Sequence, residues 1–152
     1  MSNIIIRPFL FEDRPACLSI FDSNVPLFFS PKERVEFNDH LKNLVSITSP
    51  YIVVVRGGAV VACGGLTVDF PRQRASLSWG MVDRASHGQQ LGSILTHARL
   101  TLARSISGLT EIELSTSQHT HGFYGRFGFV PTKVTLSGFG PGLDRWDMTL
   151  KL

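Results

Sequence analysis

Apolar residues follow two different periods along the chain, and each period predicts one type of element. Short apolar or alternating runs rich in Ile and Val predict strands, whereas apolar spacings of three and four predict helices. Strands are predicted at residues 4–6, 51–55, 59–67, 73–82, 111–116, 130–136 and 146–150. Helices are predicted at about 13–21, 30–46, 91–106 and 120–127.

Capping residues and glycines predict where these elements begin and end. Asp13 stands two residues before Pro15 and is a candidate N-cap. Ser30 precedes a proline and lies three residues before Glu33, which predicts a capping box at the start of the second helix. The Gly57-Gly58 pair predicts a tight hairpin turn. The Gly- and Pro-rich segment 137–144 predicts a loop between the last two strands.

The order of these elements predicts the fold class. One strand, two helices, a three-stranded meander, a helix, a strand, a short helix and two strands do not alternate regularly. We therefore expect an α+β fold with a mixed sheet of about six to seven strands flanked by helices. Because the sequence contains no repeat or linker, one domain over residues 1–152 is expected.

Composition narrows the classes of function. Cys17 and Cys63 fall in a predicted helix and a predicted strand, so we expect buried thiols without disulfide or metal, and a cytoplasmic location. No apolar stretch approaches the roughly 20 residues that span a bilayer. The apolar run Ile4–Ile6 stops at Arg7-Pro8, so we expect no signal peptide. A net charge of +3 without a basic run predicts no nucleic-acid partner.

The segment from Leu77 to Ile94 is the most informative part of the chain. A strand ends at Val82, a polar turn holds Gly88, and an amphipathic helix holds Gly92 in its first turn. This arrangement gathers unpaired backbone N–H groups at the positive end of a helix dipole. It predicts a phosphate or pyrophosphate site, with a turn that binds nothing as the alternative. The three spaced glycines of a dinucleotide-binding turn and the lysine of a P-loop are absent.

Two segments resemble the GCN5-related N-acetyltransferase (GNAT) family. The first joins Trp79–Val82 to His87–Gly92, which is similar to the family pattern Q/R-x-x-G-x-G/A. The second is Phe123–Phe129, which resembles the family's FYxKxGF segment. His87 replaces the Gln or Arg of the first pattern, and Gln90 replaces its first Gly. Because main-chain N–H groups bind the phosphates, we expect the site to persist.

The resemblance implies acetyl-CoA as the co-substrate. Its pyrophosphate would lie on the N–H groups of His87, Gly88, Gln89, Gln90, Leu91, Gly92 and Ser93. Its pantetheine arm would pair with the backbone of Met81 and Val82, at a strand pair that splays apart. There Gly80 would be either a bulge residue or a glycine that makes room for a neighbouring ring. Ser117 stands where the family often has an Asn that bonds the pantetheine.

Three arginines are candidates for the phosphates of CoA, with ordinary surface solvation as the alternative. Arg126 is the first choice because it follows the tyrosine of the second segment, and Arg84 and Arg99 are the others. The resemblance also implies that Tyr124 protonates the leaving thiolate. The alternative for Tyr124 is a packing role with a hydrogen bond to CoA.

The general base stays open. Some family members carry a Glu on the strand before the phosphate site, but Ser76 and Ser78 occupy that strand here. His119 has a suitable ordinary pKa, and Glu36, Asp69 and His121 are further candidates. Proton removal through a chain of water molecules is an alternative. The acceptor pocket is expected beside Phe28, Phe29, Asp69, Phe70 and the segment 137–144.

The sequence thus predicts an acyltransferase that moves an acetyl group from acetyl-CoA to an amine of a small molecule or peptide. Direct attack in a ternary complex is the expected mechanism. A non-catalytic acyl-CoA-binding sensor is one alternative, and a domain that binds another nucleotide is a weaker one. The C-terminal strands are compatible with a homodimer, and no membrane association is expected.

Overall fold

A computed structural model describes residues 3–152 of the protein. The helices are α1 (Arg14–Ser23), α2 (Glu33–Lys42), α3 (Leu91–Ser105) and α4 (His121–Gly125). The strands are β1 (Ile4–Pro8), β2 (Tyr51–Arg56), β3 (Ala59–Asp69), β4 (Arg74–Val82), β5 (Glu111–Thr116), β6 (Val130–Gly140) and β7 (Leu143–Lys151). Within this part of the chain, no helix has the length and apolar character needed to cross a bilayer.

The strands form one mixed seven-stranded sheet in the order β1-β2-β3-β4-β5-β7-β6. Strands β4 and β5 are parallel, whereas β1 and β2, β2 and β3, β5 and β7, and β6 and β7 pair antiparallel. This sheet with its flanking helices confirms the expected α+β class. The parallel register joins Arg74–Ser76 to Glu111–Glu113, while β4 continues to Val82 and β5 to Thr116. The splayed strand pair stays a prediction.

Two compact units can be distinguished in the chain. One comprises the residues up to Thr67 together with Leu77–Ser105, and the other comprises Val68–Ser76 together with Ile106–Leu152. The first unit holds α1, α2, α3, β1 and β2, and the second holds β5, α4, β6 and β7. The expected single domain over residues 1–152 stays a prediction.

Strand β2 organises the core of the first unit because it is buried on both faces. Tyr51 and Val53 belong to an aromatic-rich cluster with side chains of α1 and α2. The intervening Ile52 and Val54 belong to a second cluster with residues of α3. Side chains alternate between the two faces of a strand. Burial of both faces therefore explains why β2 is apolar without interruption.

The second unit is built around β5 and β7. Ile112 and Met148 are almost fully buried there, as is Phe129 after α4. Strand β6 is mostly exposed, and the Leu136 side chain is 79% accessible. The second unit therefore has a smaller apolar interior than the first, with β6 as an exposed edge of the sheet.

The second helix begins later and ends earlier than the predicted range of about 30–46. It begins at Glu33, because the expected capping contacts close a turn ahead of it: the Ser30 N–H donates to the Glu33 carboxylate at 3.0 Å, and the Lys32 N–H donates to Ser30 Oγ at 3.3 Å. The helix ends at Lys42, where the Asn43 side chain donates to the Asp39 carbonyl at 2.7 Å.

The predicted loop at 137–144 is wrong. Strands β6 and β7 extend into this segment and close a hairpin in which Gly140 pairs with Leu143. An irregular register between Thr135 and Gly140 accommodates the glycines. Pairing with β7 therefore overrides the turn signal that glycine and proline give locally.

Asp13 precedes α1 as predicted, but its carboxylate does not cap the helix. It accepts hydrogen bonds from Arg7 Nη1 at 2.7 Å, Arg7 Nη2 at 2.9 Å and the Leu10 N–H at 2.8 Å. The bond to Arg7, followed by that to Leu10, holds the pKa of Asp13 below its usual range despite burial. The carboxylate thus ties β1 to the start of α1, which runs two residues past the predicted Phe21.

Candidate active site

The backbone after β4 forms the predicted strand, turn and helix. A short 3-10 turn at Arg84–Ser86 follows the strand, and α3 begins at Leu91. The Ile94 N–H donates to the Gln90 carbonyl at 3.1 Å, which is the first hydrogen bond of the helix. The N–H groups of Leu91–Ser93 therefore lie in the first turn, where a helix supplies no partner for them. We call residues 87–93 the phosphate cradle.

Two residues of the phosphate cradle have left-handed backbone conformations. Gly88 has a φ of +82° and Gln90 a φ of +63°. Gln90 stands where the family pattern has glycine, and a residue with a Cβ is strained in this region by about 1–2 kcal/mol. The departure from the pattern thus preserves the shape of the turn at a cost in backbone energy.

A side chain from β2 supports the phosphate cradle. Arg56 donates through Nη2 to Ser86 Oγ at 3.0 Å and through Nη1 to Gln89 Oε1. Sequence analysis did not identify Arg56, because it lies 30 residues from Ser86 and next to a hairpin turn. Only the sheet brings the two segments together.

Two side-chain hydrogen bonds to the Val82 carbonyl fix the end of β4. Asn24 donates through Nδ2 at 2.9 Å, and His87 contacts the same oxygen through Nε2 at 2.9 Å. Asn24 is 2% exposed, and its Nδ2 also donates to the Ile20 carbonyl at 2.9 Å. The His87 side chain therefore braces the strand. Asn24 lies between the first two predicted helices, and nothing in the sequence indicates this role.

Strand β4 is distorted just before this end. Trp79 has a φ of +43°, which is rare for a bulky residue, and its carbonyl accepts a hydrogen bond from the Tyr51 hydroxyl at 2.7 Å. The adjacent Gly80 has no positive φ, so the left-handed residue is its neighbour. A Cβ at Gly80 would lie 2.5 Å from Nη2 of Arg99. This glycine makes room for a guanidinium group, so the alternative of a neighbouring ring is wrong, and the bulge at Gly80 stays a prediction.

The alternative of ordinary surface solvation is wrong for Arg99, because this side chain is buried. It is 3% exposed on α3, and its Nε is buried without a hydrogen-bond partner. The Arg99 charge also acts on Tyr51: burial raises the pKa of the Tyr51 phenol well above its ordinary value, and Arg99 opposes that rise. Sequence analysis missed this burial because the apolar spacing of α3 does not include position 99.

Helix α4 carries Tyr124 and has five residues, none of them buried. The half-buried Tyr124 ring contacts Phe123 and Phe129 edge-on, at centroid distances of 5.1 and 6.0 Å. Arg126 is exposed, with its guanidinium carbon 5.6 Å from the centre of the Phe123 ring. Ser117 Oγ accepts a hydrogen bond from the His119 N–H at 3.2 Å. The predicted helix at about 120–127 is thus shorter, at His121–Gly125.

The side chains proposed as general base have varied surroundings. His121 stacks on Trp146 with ring centroids 3.8 Å apart. Asp69 lies 3.7 Å from Arg72 Nη1, and Glu36 and His119 are exposed. On β4, the Ser76 hydroxyl lies 3.5 Å from the Glu113 carboxylate, whose pKa is lowered chiefly by Arg72. These contacts favour none of the four candidates as the base.

One histidine that sequence analysis did not consider lies near the distorted strand. The His40 ring on α2 packs between Tyr51 and Trp79, at centroid distances of 5.9 and 6.2 Å. Its Nε2 is buried without a partner, and burial lowers the pKa of His40 below its ordinary value. Burial thus favours the neutral form of the His40 imidazole over the charged form.

The adjacent aromatics after α1 have different environments. Phe29 stacks on Phe21 with centroids 4.9 Å apart and belongs to the core. Phe28 is exposed, and its ring meets that of His87 at 5.3 Å and the Arg84 guanidinium at 5.5 Å. Of the two, Phe28 is therefore the one accessible to a ligand beside the phosphate cradle.

Comparison with known proteins identifies the family of this chain. Residues 17–129 match the model of the acetyltransferase (GNAT) family. No curated protein gives a significant sequence match.

Solved structures are similar over nearly the whole chain. The ribosomal-protein-S18-alanine N-acetyltransferase of Escherichia coli superposes with a TM-score of 0.80 at 17% identity, covering 98% of this chain and 94% of that one. An aminoglycoside 6′-N-acetyltransferase in complex with coenzyme A gives 0.80 at 15%, with coverages of 97% and 96%. Mutant forms of the spermidine/spermine N-acetyltransferase of Vibrio cholerae give 0.76 at 14%, with 98% and 95%. At these identities, the similar structures establish the fold alone. The family is established by the match over residues 17–129: the chain belongs to the GNAT family of acetyltransferases.

Proposed function

We propose that the protein transfers the acetyl group of acetyl-CoA to a primary amine of a small molecule or peptide. The amine attacks directly while both substrates are bound. The observation that carries this proposal is the phosphate cradle, in which the first-turn N–H groups of α3 follow the left-handed residues Gly88 and Gln90. Membership of the GNAT family supports it.

The residues of the phosphate cradle fit the pyrophosphate of CoA. Such a group needs several N–H donors and positive potential, and the start of a long helix supplies both. A Cβ at Gly88 would meet nothing within 4 Å, so the backbone there is open to a ligand. The His87 N–H already donates to the Arg84 carbonyl at 3.2 Å, so the expectation that it is a free donor is wrong. We propose binding through Gly88, Gln89, Gln90, Leu91, Gly92 and Ser93, with Ser117 and Arg126 as further contacts.

The pantetheine arm is proposed to pair with the backbone of Met81 and Val82. Because the Val82 carbonyl already accepts hydrogen bonds from Asn24 and His87, we expect Val82 to contribute its N–H group. Acetyl-CoA supplies the activated acyl group, and this part of the chain fixes its position.

Tyr124 is the proposed general acid. The amine nitrogen bonds to the carbonyl carbon of the thioester, the C–S bond breaks with its electron pair going to sulfur, and the Tyr124 hydroxyl donates a proton to that sulfur. The hydroxyl forms no hydrogen bond with any residue from 3 to 152, so it is available for this role. The base that takes the proton from the amine is one of His119, His121, Glu36, Asp69 and His40, or a water chain.

The acceptor class follows from chemistry that is common to the similar enzymes. Their names specify an alanine of a ribosomal protein, an aminoglycoside and a polyamine, all of which offer an amine. We propose an acceptor of this kind for the present chain, bound beside Phe28. A cytoplasmic location and a homodimer through the C-terminal strands remain predictions.

The first experiment is a thermal unfolding curve with and without acetyl-CoA. Ligand at about 100 times its Kd stabilises the protein by roughly 2.7 kcal/mol, which raises the Tm of a domain of this size by roughly 5–10 °C. CoA should give a comparable shift, whereas ATP and NAD should not. Thiol release with an alanine-terminated peptide, kanamycin and spermidine then tests turnover. Binding without thiol release for any amine would favour a sensor over an enzyme.

Tyr124→Phe tests the general acid. We expect kcat to fall about 10²-fold while the KM for acetyl-CoA and the Tm stay close to wild type. Steady-state kinetics with the best amine of the panel provides the measurement. An unchanged kcat would rule out proton donation by Tyr124.

Gly92→Pro tests the phosphate cradle. Proline is tolerated in the first turn of a helix but lacks the N–H, so the variant should fold and bind acetyl-CoA at least ten-fold more weakly. Isothermal titration gives the Kd. Retained affinity would place the cofactor elsewhere on the molecule.

A further inference from the structure

Arg99 is a buried cation without a counter-ion. It lies on α3 among the buried side chains Leu95, Leu100 and Ala103, and it is 3% exposed. Ion pairs join other arginines to carboxylates, but no such pair involves Arg99 within residues 3–152. Its Nε also lacks a hydrogen-bond partner. A buried charge in this state is costly unless a partner compensates it.

Two glycines on neighbouring strands provide the space for this side chain. A Cβ at Gly80 on β4 would lie 2.5 Å from Nη2 and 2.8 Å from both Cζ and Nη1. A Cβ at Gly64 on β3 would lie 3.3 Å from Nε. The guanidinium therefore rests against bare backbone, and any larger residue at Gly80 would displace it.

The guanidinium lies at the point of β4 where the reacting group is expected. Gly80 directly precedes Met81 and Val82, the residues proposed to pair with the pantetheine arm. Along β4, Gly80 is further from the phosphate cradle than Met81 and Val82 are. A pantetheine arm that runs from the phosphate cradle along Val82 and Met81 would therefore bring its thioester towards Gly80. The left-handed conformation of Trp79 also makes the backbone irregular at this point.

We propose that Arg99 is a catalytic residue that donates hydrogen bonds from its Nη groups to the carbonyl oxygen of the bound thioester. This inference rests on the proposed function. When the amine nitrogen bonds to the carbonyl carbon, the C=O electron pair moves to oxygen, which becomes negative. When the C–S bond breaks, that pair returns to form the amide carbonyl, and the thiolate leaves.

Arg99 gains most from this partner in the transition state. The carbonyl oxygen is neutral in the bound substrate and charged during attack, so an Arg99 contact strengthens as the reaction proceeds. In a water-excluded environment the attraction between opposite charges is much stronger than in water. A preorganised donor of this kind typically contributes about 10²–10³ in kcat. The unpaired cation destabilises the free enzyme, and the same cation stabilises the transition state when the carbonyl oxygen becomes negative.

Arg99→Leu separates this role from a structural one. Replacing an unpaired buried charge by an apolar side chain should raise the Tm of the ligand-free protein by roughly 3–10 °C. The kcat should fall about 10²–10³-fold, while the acetyl-CoA Kd changes by less than about five-fold. Arg99→Lys keeps the charge without the planar fork and should retain an intermediate kcat.

Arg104→Leu is the matched control, since it removes an exposed positive charge from the same helix. It should leave kcat and Tm near wild type. Arg99→Met replaces the leucine variant if that variant does not fold. The proposal is overturned if kcat is unchanged at position 99, or if kcat falls only together with a lowered Tm. Absence of turnover in the wild type with every amine would instead refute the proposed function on which it rests.

Discussion

The two segments that resemble the family are held in place in different ways. The phosphate cradle depends on residues remote in sequence: Asn24 reaches Val82 across 58 positions, and Arg56 reaches Ser86 across 30. In the second segment, Phe123–Phe129, the Tyr124 ring is held by near neighbours in sequence, since it contacts the rings of Phe123 and Phe129.

This difference shows how much a short motif can specify. The FYGRFGF segment contains both rings that contact Tyr124, so the resemblance there includes side chains that support the tyrosine. The cradle pattern contains neither Asn24, which follows α1, nor Arg56 of β2. Backbone donors need a fixed position as much as a catalytic side chain does, and here other elements supply it.

The largest effect on this comparison is expected from Asn24→Ala. It removes a buried hydrogen bond to the Ile20 carbonyl and a partly buried one to the Val82 carbonyl, which should lower the free energy of unfolding by about 2–3 kcal/mol. Acetyl-CoA binding should weaken as the end of β4 loosens. Urea unfolding and isothermal titration measure the two effects.

Asn43→Ala is the matched control. Asn43 also follows a helix and also donates to the carbonyl four residues earlier, but it is exposed and joins no other element. Its loss should cost less than about 1 kcal/mol and leave binding unchanged. Equal effects at both positions would mean that the long-range bond to Val82 contributes nothing.

A smaller effect is expected from Arg56→Met. The substitution removes two hydrogen bonds to the turn before α3 but keeps much of the aliphatic side chain. Since Arg56 is half-exposed, we expect a loss of about 1 kcal/mol in stability and a several-fold higher acetyl-CoA Kd. Arg126→Met, just after α4, should change stability by less than about 0.5 kcal/mol. A larger loss at Arg126 would reverse the comparison.

The smallest effect is expected at Gln90, where two substitutions should act in opposite directions. Gln90→Gly relieves the left-handed strain but adds freedom to the unfolded chain, so stability should rise by no more than about 1 kcal/mol. Gln90→Val places a β-branched residue at positive φ and should lower stability by at least about 1 kcal/mol. Thermal unfolding of both variants measures the difference. Two changes of the same sign would mean that φ at Gln90 is not under strain.

Local signals are sufficient to predict most elements of the fold. The hairpin at Gly57-Gly58 and the strand at 111–116 are predictable because turn chemistry and β-branched runs act over a few residues. The segment 137–144 is mispredicted as a loop because its pairing with β7 is not encoded in its own glycines.

The candidate site is predictable only in its backbone. The glycine spacing and the strand-to-helix transition are enough to predict the turn and the helix start at 87–93, which we propose as the phosphate site. The burial of Arg99 is not predictable, because it depends on Gly64 and Gly80 from two other strands. The roles of Asn24 and Arg56 are not predictable for the same reason. Each is a polar residue near a turn, and its hydrogen-bond partner is distant in sequence.

The strand order β5-β7-β6 constrains the sequence of folding events. Within residues 3–152, β6 joins the sheet only through β7, although β6 is synthesised first and β7 follows after a two-residue turn. During synthesis on the ribosome, the edge of β5 therefore stays unpaired until β7 has been made. During that interval β6 carries exposed apolar side chains with no strand to pair with, a condition that favours association between nascent chains. Rapid closure of the β6–β7 hairpin would shorten this exposure, and its short turn makes such closure local and fast.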